Sequence, residues 1–206
     1  MPRRILVLFA HPALEKSHVN RALADAVRGL PWLTFHDLYE TYPHFGIDVQ
    51  REQELLVQHD VIVFQHPFYW YSAPALVKEW LDLVLEHGWA YGQGGTALHG
   101  KLMMTATTTG ARVDAYRHGG KNRYTMRELL APFDQSAHLC GMRYLAPFVI
   151  HSALRLNTIG DVAHDARHYR AVLEALRDGA IDIDAATSAE RIQDLVPQPV
   201  AEETRA

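Results

Sequence analysis

Short apolar runs that alternate with longer amphipathic stretches constrain this chain more than any other feature of its sequence. Residues 5–10, 61–64 and 102–106 form such runs, partly β-branched and bounded by His, Pro, Thr or Gly. Runs without polar alternation read as strands buried on both faces of a parallel sheet. Residues 32–38 and 144–150 supply two further strand candidates. Helical patterns run over 19–28, 51–59, 75–86, 126–139 and 161–177. Strand and helix in alternation predict an α/β fold, a parallel sheet with helices on both faces. For five strands, the order 2-1-3-4-5 is the leading choice.

The chain has 206 residues, 48% hydrophobic and 21% charged, which suits one domain with a sizeable core. That domain is expected over residues 1–178, with 179–206, rich in Ala, Asp, Glu and Pro, as a surface extension. A net charge of -4 gives no electrostatic reason to hold a nucleic acid. Cys140 is the only cysteine, so no internal disulfide framework exists and a reducing, cytoplasmic setting is expected. No apolar run approaches the roughly 18 residues of a membrane span, so any membrane association is expected through a partner.

Ligands of doubly wound sheets bind beyond the carboxyl ends of the strands. Three unusual loops are predicted there. In the first, residues 10–23, Ser17 reads as an N-cap, and the amides of His18, Val19 and Asn20 form a helix N-terminus suited to phosphate, with His11 as a further donor. It carries neither GxGxxG nor GxxxxGK[ST], so nothing in it announces a dinucleotide or ATP. The second, residues 65–82, places Phe68, Tyr69, Trp70 and Tyr71 between Pro67 and Pro74, where a flat ring would stack. The third, residues 105–116, offers Thr108, Thr109 and Gly110 as hydroxyls and close backbone approach. Each loop alone has an ordinary structural explanation, but their meeting at one sheet end favours a ligand. The segment 112–124 reads as a further loop of the kind that carries function.

Other constellations are weaker. His164 and His168 have helical metal-binding spacing but no third ligand nearby, and read as surface histidines. Cys140 reads as a buried thiol, His66 as a structural strand-end residue, and Ser72 lacks a GxSxG elbow. No metal site is expected.

The segments AHP with SHVN, HPFYWYSAPALVKEWLD, HGWAYGQGGTALHGK, TTTGA and YPHFGIDVQREQ resemble the flavodoxin-like NAD(P)H:quinone oxidoreductase family. Within it they are most similar to the ancillary proteins of bacterial glutathione-gated potassium efflux systems. The resemblance spans about residues 4–177. It implies a flavodoxin-like fold with FMN bound: His11 and residues 17–20 on the phosphate and ribityl chain, residues 68–71 on the isoalloxazine, and Thr108 to Ala111 on its pyrimidine edge.

The resemblance further implies two-electron, ping-pong hydride transfer from NAD(P)H to a quinone, assisted by Tyr116. The second assisting group of the family, a histidine, has no counterpart: Asn122 or Arg123 falls near its place, and His118 comes too early. Trp70, Tyr116 and the stretch HGWAYGQGG, with Trp89 and Tyr91, are the expected substrate slot. A homodimer and a potassium efflux antiporter are the expected partners, the latter at the inner membrane. A purely regulatory flavoprotein subunit is the alternative, and an electron-transfer flavodoxin a weaker third.

Overall fold

Ile5, Val7 and Phe9 turn to one face of the sheet and Leu6, Leu8 and Ala10 to the other, and all six are fully buried. This is the two-sided burial that an apolar run without polar alternation predicts. The protein is described by a computed structural model over residues 1–156 and 159–198. Its strands are β1 (Ile5–Phe9), β2 (Leu33–Asp37), β3 (Val61–Pro67), β4 (Leu102–Thr108), β5 (Arg143–Tyr144) and β6 (Phe148–Ile150). All pair in parallel in the predicted order β2-β1-β3-β4-β5, with β6 also on β4. This is the flavodoxin-like arrangement.

The helices are α1 (His18–Val27), α2 (Leu38–Thr41), α3 (Val49–Gln58), α4 (Ala75–Val84), α5 (Met126–Leu129), α6 (Ala131–Leu139), α7 (Ile159–Asp178) and α8 (Ile183–Ser188). Apolar residues of α1 and α7 pack on the face bearing Ile5, Val7 and Phe9. Those of α3, α4 and α6 cover the opposite face.

Five differences from the sequence reading have physical causes. β3 continues past Phe64 to Pro67, because Gln65 and His66 are fully buried although polar. The predicted strand over 144–150 divides where Pro147 brings no N–H; there the Ala146 amide donates to Ala186 O instead (2.7 Å). The predicted helix over 126–139 breaks at Leu130, and Pro132 starts its second half.

The fourth concerns the tail. Rather than lying on the surface, the stretch after Gly179 buries Ile181, Ala186 and Ile192 in the core. The Gln193 amide group donates to Val149 O (2.7 Å) and accepts from Val149 N (3.2 Å), which occupies the open edge of β6. An unpaired edge strand needs such a cover. Residues 199–206 of that expected extension lie outside the described residues. His168 also departs from expectation: it is buried, with Nε2 bonded to Val196 O (3.0 Å).

Among the described residues, no helix is long and apolar enough to cross a membrane.

The YPHFGIDVQREQ motif carries a structural group. Glu52 is fully buried, and its carboxylate accepts from Tyr42 OH (2.6 Å) and Trp80 Nε1 (2.8 Å), with His36 Nε2 at 2.8 Å. These contacts tie α3 to β2, to the end of α2 and to α4.

Candidate active site

The loops after β1, β3, β4 and β6 leave the sheet at one end, and the first three line two adjoining cavities. One, of 430 Å³, is lined by His11, Lys16, Ser17, His18, Val19, Asn20, Phe68, Tyr69, Thr108, Thr109 and Gly110 among others. The other, of 290 Å³, is lined by Phe68, Trp70, Tyr71, Ala111, Tyr116, Lys121 and Asn122. Phe68 is common to both, so the predicted residues of all three loops form one continuous depression.

In the first loop, Ser17 caps α1 by accepting from Asn20 N (3.3 Å). The Asn20 amide is therefore committed, contrary to the expectation that it is free. Among the described residues, His18 N and Val19 N meet no acceptor. The Asn20 side chain is buried and donates through Nδ2 to Ser17 Oγ (3.1 Å) and Thr108 Oγ1 (2.9 Å), joining the first loop to the third. Among the described residues, its buried Oδ1 meets no donor. Such an orphaned acceptor is uncommon in a folded protein and asks for a hydroxyl or N–H from a ligand.

Burial pushes the His11 imidazole below its ordinary pKa, partly offset by Glu15. Its Nδ1 accepts from Ala13 N (3.1 Å), so the proton of the neutral ring sits on Nε2 as a donor. Lys16 adds a cation at the same cavity. The sequence reading missed it, although it directly precedes the cap residue Ser17.

In the second loop, Trp70 and Tyr71 both have positive φ (49° and 62°). Ser72 N donates to Tyr69 O (3.0 Å), closing a primed turn of the kind that ordinarily takes Asn-Gly. The turn holds Trp70 almost wholly in solvent, at 94% exposure. Among the described residues, the N–H groups of Trp70 and Tyr71 meet no acceptor, and neither do those of Gly110 and Ala111 in the third loop. A cavity rimmed by unpaired donors, with an aromatic wall and a helix N-terminus at one end, suits an anionic group joined to a flat, acceptor-edged ring. FMN fits that description, and the orphaned Asn20 Oδ1 suits a ribityl hydroxyl.

Tyr116 stands on the 290 Å³ cavity, its ring edge-on to Phe68 (6.2 Å). Burial raises its phenol pKa, which the nearby Thr109 and Asn122 side chains oppose. His151, just beyond β6, has its ring 5.3 Å from that of Tyr116. Its Nδ1 lies 3.0 Å from Thr109 Oγ1. Thr109 has one hydroxyl proton and donates it to Ala111 O (3.0 Å), which assigns the imidazole proton to Nδ1. Burial, with Arg191 nearby, lowers the His151 pKa to about 4, so the ring is neutral near pH 7. His151 therefore stands behind the tyrosine where no loop histidine is found. Nothing in its own neighbourhood of the sequence marks it.

The Gly-rich stretch does not join this depression. Trp89 lies beside Gln50, Gln53 and Val57. Tyr91 lines a groove of 530 Å³ between α4 and α6, with Leu81, Phe133 and Cys140. The fixed backbone of this stretch accounts for its glycines: a Cβ on Gly95 would lie 2.2 Å from Tyr91 O.

The sequence matches a family described by its flavodoxin-like fold over residues 3–173. It is 51% identical over 155 residues to the glutathione-regulated potassium-efflux system ancillary protein KefG of Pectobacterium carotovorum, covering 75% of this chain and 85% of that one. A crystal structure of the general stress protein 14 of Treponema denticola in complex with FMN is 41% identical, with a TM-score of 0.79, covering 84% of this chain and 99% of the other. An NADPH-quinone reductase from P. pentosaceus is 32% identical with a TM-score of 0.72, over 87% and 98% of the two chains. Strand order, the loop cluster at one sheet end and these similarities agree: the chain belongs to the flavodoxin-like family.

Proposed function

We propose that the chain is an FMN-dependent NAD(P)H:quinone oxidoreductase that works by two-electron, ping-pong transfer. The observation that carries this reading is the convergence of unpaired backbone donors from three loops on one continuous depression, which is also lined by Asn20 with its orphaned, buried Oδ1. The similarity to an FMN complex and to an NADPH-quinone reductase supports it. FMN, when bound, supplies the redox chemistry, accepting a hydride from NAD(P)H and returning two electrons to a quinone.

The protein's part is binding, orientation and proton placement. The α1 N-terminus, Lys16 and His11 Nε2 hold the phosphate. The turn amides of Trp70 and Tyr71 and those of Gly110 and Ala111 hold the polar edge of the ring. Trp70 and Phe68 wall the slot, where nicotinamide and quinone bind in turn. Tyr116, kept protonated, donates a hydrogen bond to the oxygen of the molecule in the slot, and His151 acts through Thr109 to fix that geometry.

The test is direct. Purified protein shows a flavin absorbance band, and NADPH or NADH bleaches that band under anaerobic conditions until a quinone restores it. Protein that cannot take up FMN, or a band that neither nucleotide bleaches, rejects the reading.

A second reading adds a role as the cytoplasmic ancillary subunit of a potassium efflux antiporter, held peripherally at the inner membrane, with the chain acting as a homodimer. The similarity to KefG supports it. In cells, Trp70→Ala separates the two: efflux activation that survives loss of NAD(P)H oxidation makes the regulatory role independent of turnover.

A further inference from the structure

Beyond Tyr116 the site opens into a groove of 620 Å³ whose charge differs from that of the rest of the molecule. Arg112, Arg117, Lys121 and Arg155 line it, with Asp114 as its single acid among the described residues. The chain as a whole carries a net charge of -4, so this cationic excess is local. Asp114 is within 3.6 Å of Arg112, which leaves the other three cations without an acidic partner in the groove among the described residues. Arg117 uses only its Nε, on Asp114 O (3.2 Å). Among the described residues, Lys121 and Arg155 have no side-chain hydrogen bond or ion pair.

The cations are carried on a fixed frame. They come from two loops that are bonded together, Ser152 N donating to Ala111 O (2.9 Å). The longer loop is closed on itself by Gly120 N to Arg117 O and Asn122 N to Ala115 O (both 2.9 Å). A Cβ on Gly120 would meet Ala115 O at 2.7 Å, so the loop packs as tightly as glycine permits.

Lys121 and Ala111 line both this groove and the slot at Tyr116, which makes the two continuous. A nucleotide with its nicotinamide in the slot therefore passes Lys121 first and the two arginines beyond it. Lys121, a single point charge, suits the pyrophosphate that NADH and NADPH share. Arg117 and Arg155 present planar forks, the geometry that recognises a phosphate monoester. Only NADPH carries one.

We propose that this groove holds the 2′-phosphate of NADPH through Arg117 and Arg155, so that the chain uses NADPH in preference to NADH. The proposal rests on the oxidoreductase reading for its consequence in turnover, but not for the binding itself.

Two measurements test it on the FMN-loaded protein. In anaerobic stopped-flow reduction, NADPH is expected to bind on the order of tenfold or more tightly than NADH, as loss of one or two charge-assisted hydrogen bonds implies. R117A/R155A is expected to remove that advantage while leaving reduction by NADH unchanged. Equal affinities in the unsubstituted protein, or equal losses for both nucleotides in the variant, overturn the proposal. In calorimetric titration, adenosine 2′,5′-bisphosphate is expected to bind more tightly than adenosine 5′-monophosphate, with a difference that shrinks in salt and vanishes in the double variant. No difference between them in the unsubstituted protein also overturns it. If neither nucleotide reduces the flavin, the oxidoreductase reading falls, and the titration still decides the groove.

Discussion

His151 Nδ1 sits 3.0 Å from Thr109 Oγ1 while its ring lies 5.3 Å from that of Tyr116, so the strand end after β6 backs the tyrosine that lines the 290 Å³ cavity. A hydrogen-bond donor on the slot is then held by a residue that touches neither cavity.

Tyr116→Phe keeps the ring and removes the hydroxyl, so quinone turnover is expected to fall about 100-fold, the lower range for loss of a positioned proton donor. Flavin affinity should stay nearly constant. His151→Leu removes the donor to Thr109 and is expected to lower turnover less, roughly tenfold, with His151→Asn recovering part of it. Because the His151 pKa is about 4, turnover of the unsubstituted protein should show no step between pH 5.5 and 8 that His151→Leu abolishes. Such a step in steady-state kinetics would reject the neutral assignment.

Asn20, which lines the 430 Å³ cavity, joins two loops and keeps a buried Oδ1 that meets no donor among the described residues. Asn20→Ala is expected to weaken FMN binding by about 1–3 kcal/mol, or roughly fivefold to 150-fold, since both the acceptor and the bridge to Thr108 disappear. Asn20→Asp keeps an acceptor but loses the donor to Thr108 and brings a negative charge beside the phosphate, so it should bind no better than the alanine variant. Quenching of flavin fluorescence during titration measures both, and unchanged affinity in Asn20→Ala would remove this side chain from the cradle.

The acid limb of stability has two sources with different windows. Burial lowers the His66 pKa from 6.5 to about 4, so the unfolded chain binds a proton first as pH falls. Stability contributed by the neutral ring is therefore whole above about 6.5 and is lost progressively down to about 4. Glu52 is held below its ordinary pKa: burial acts to raise it, but the hydrogen bonds from His36, Tyr42 and Trp80 outweigh that. Its contribution is present above 4.5 and is lost as pH falls through the lower folded value. Urea melts of His66→Phe should show a shallower loss between pH 6.5 and 4 than the unsubstituted protein. Glu52→Ala should cost about 3–5 kcal/mol at pH 7, because three buried donors lose their acceptor. A loss below about 1 kcal/mol would mean that water replaces the carboxylate.

How much of this was legible in the sequence follows from where each signal resides. The strands themselves and the two-sided burial of β1 are written in local apolar runs, which any neighbouring element must cover, whereas the strand order, the leading arrangement for five parallel strands, is set by long-range pairing. The Ser17 cap is equally local. Gln65 and His66 concealed the end of β3, because their burial depends on Tyr169 and Phe133 reaching them across the fold. The role of Gln193 arises only once β6 becomes an edge in need of a cover. His151 was invisible for the same reason: it acquires meaning from Thr109 and Tyr116, which the fold and not the chain brings beside it. The Gly-rich stretch misled in the opposite sense, since its aromatics serve their own packing within the described residues.

The turn at Trp70 and Tyr71 shows a cost accepted at the site. Two non-glycine residues at positive φ each cost about 1–2 kcal/mol relative to residues that tolerate this region. Nothing in the packing of Trp70 repays that, for the ring is 94% exposed. The strain instead presents the ring and two unpaired amides to the slot. W70N/Y71G fits the turn without strain and should raise the thermal midpoint of the flavin-free protein by a few degrees. The same variant loses the wall of the slot, so its affinity for nucleotide and quinone should fall although its amides remain. Gain of stability with loss of substrate affinity is the expected pair in calorimetry and steady-state kinetics. A variant that is stabilised and equally active would show that the strained turn serves neither ligand.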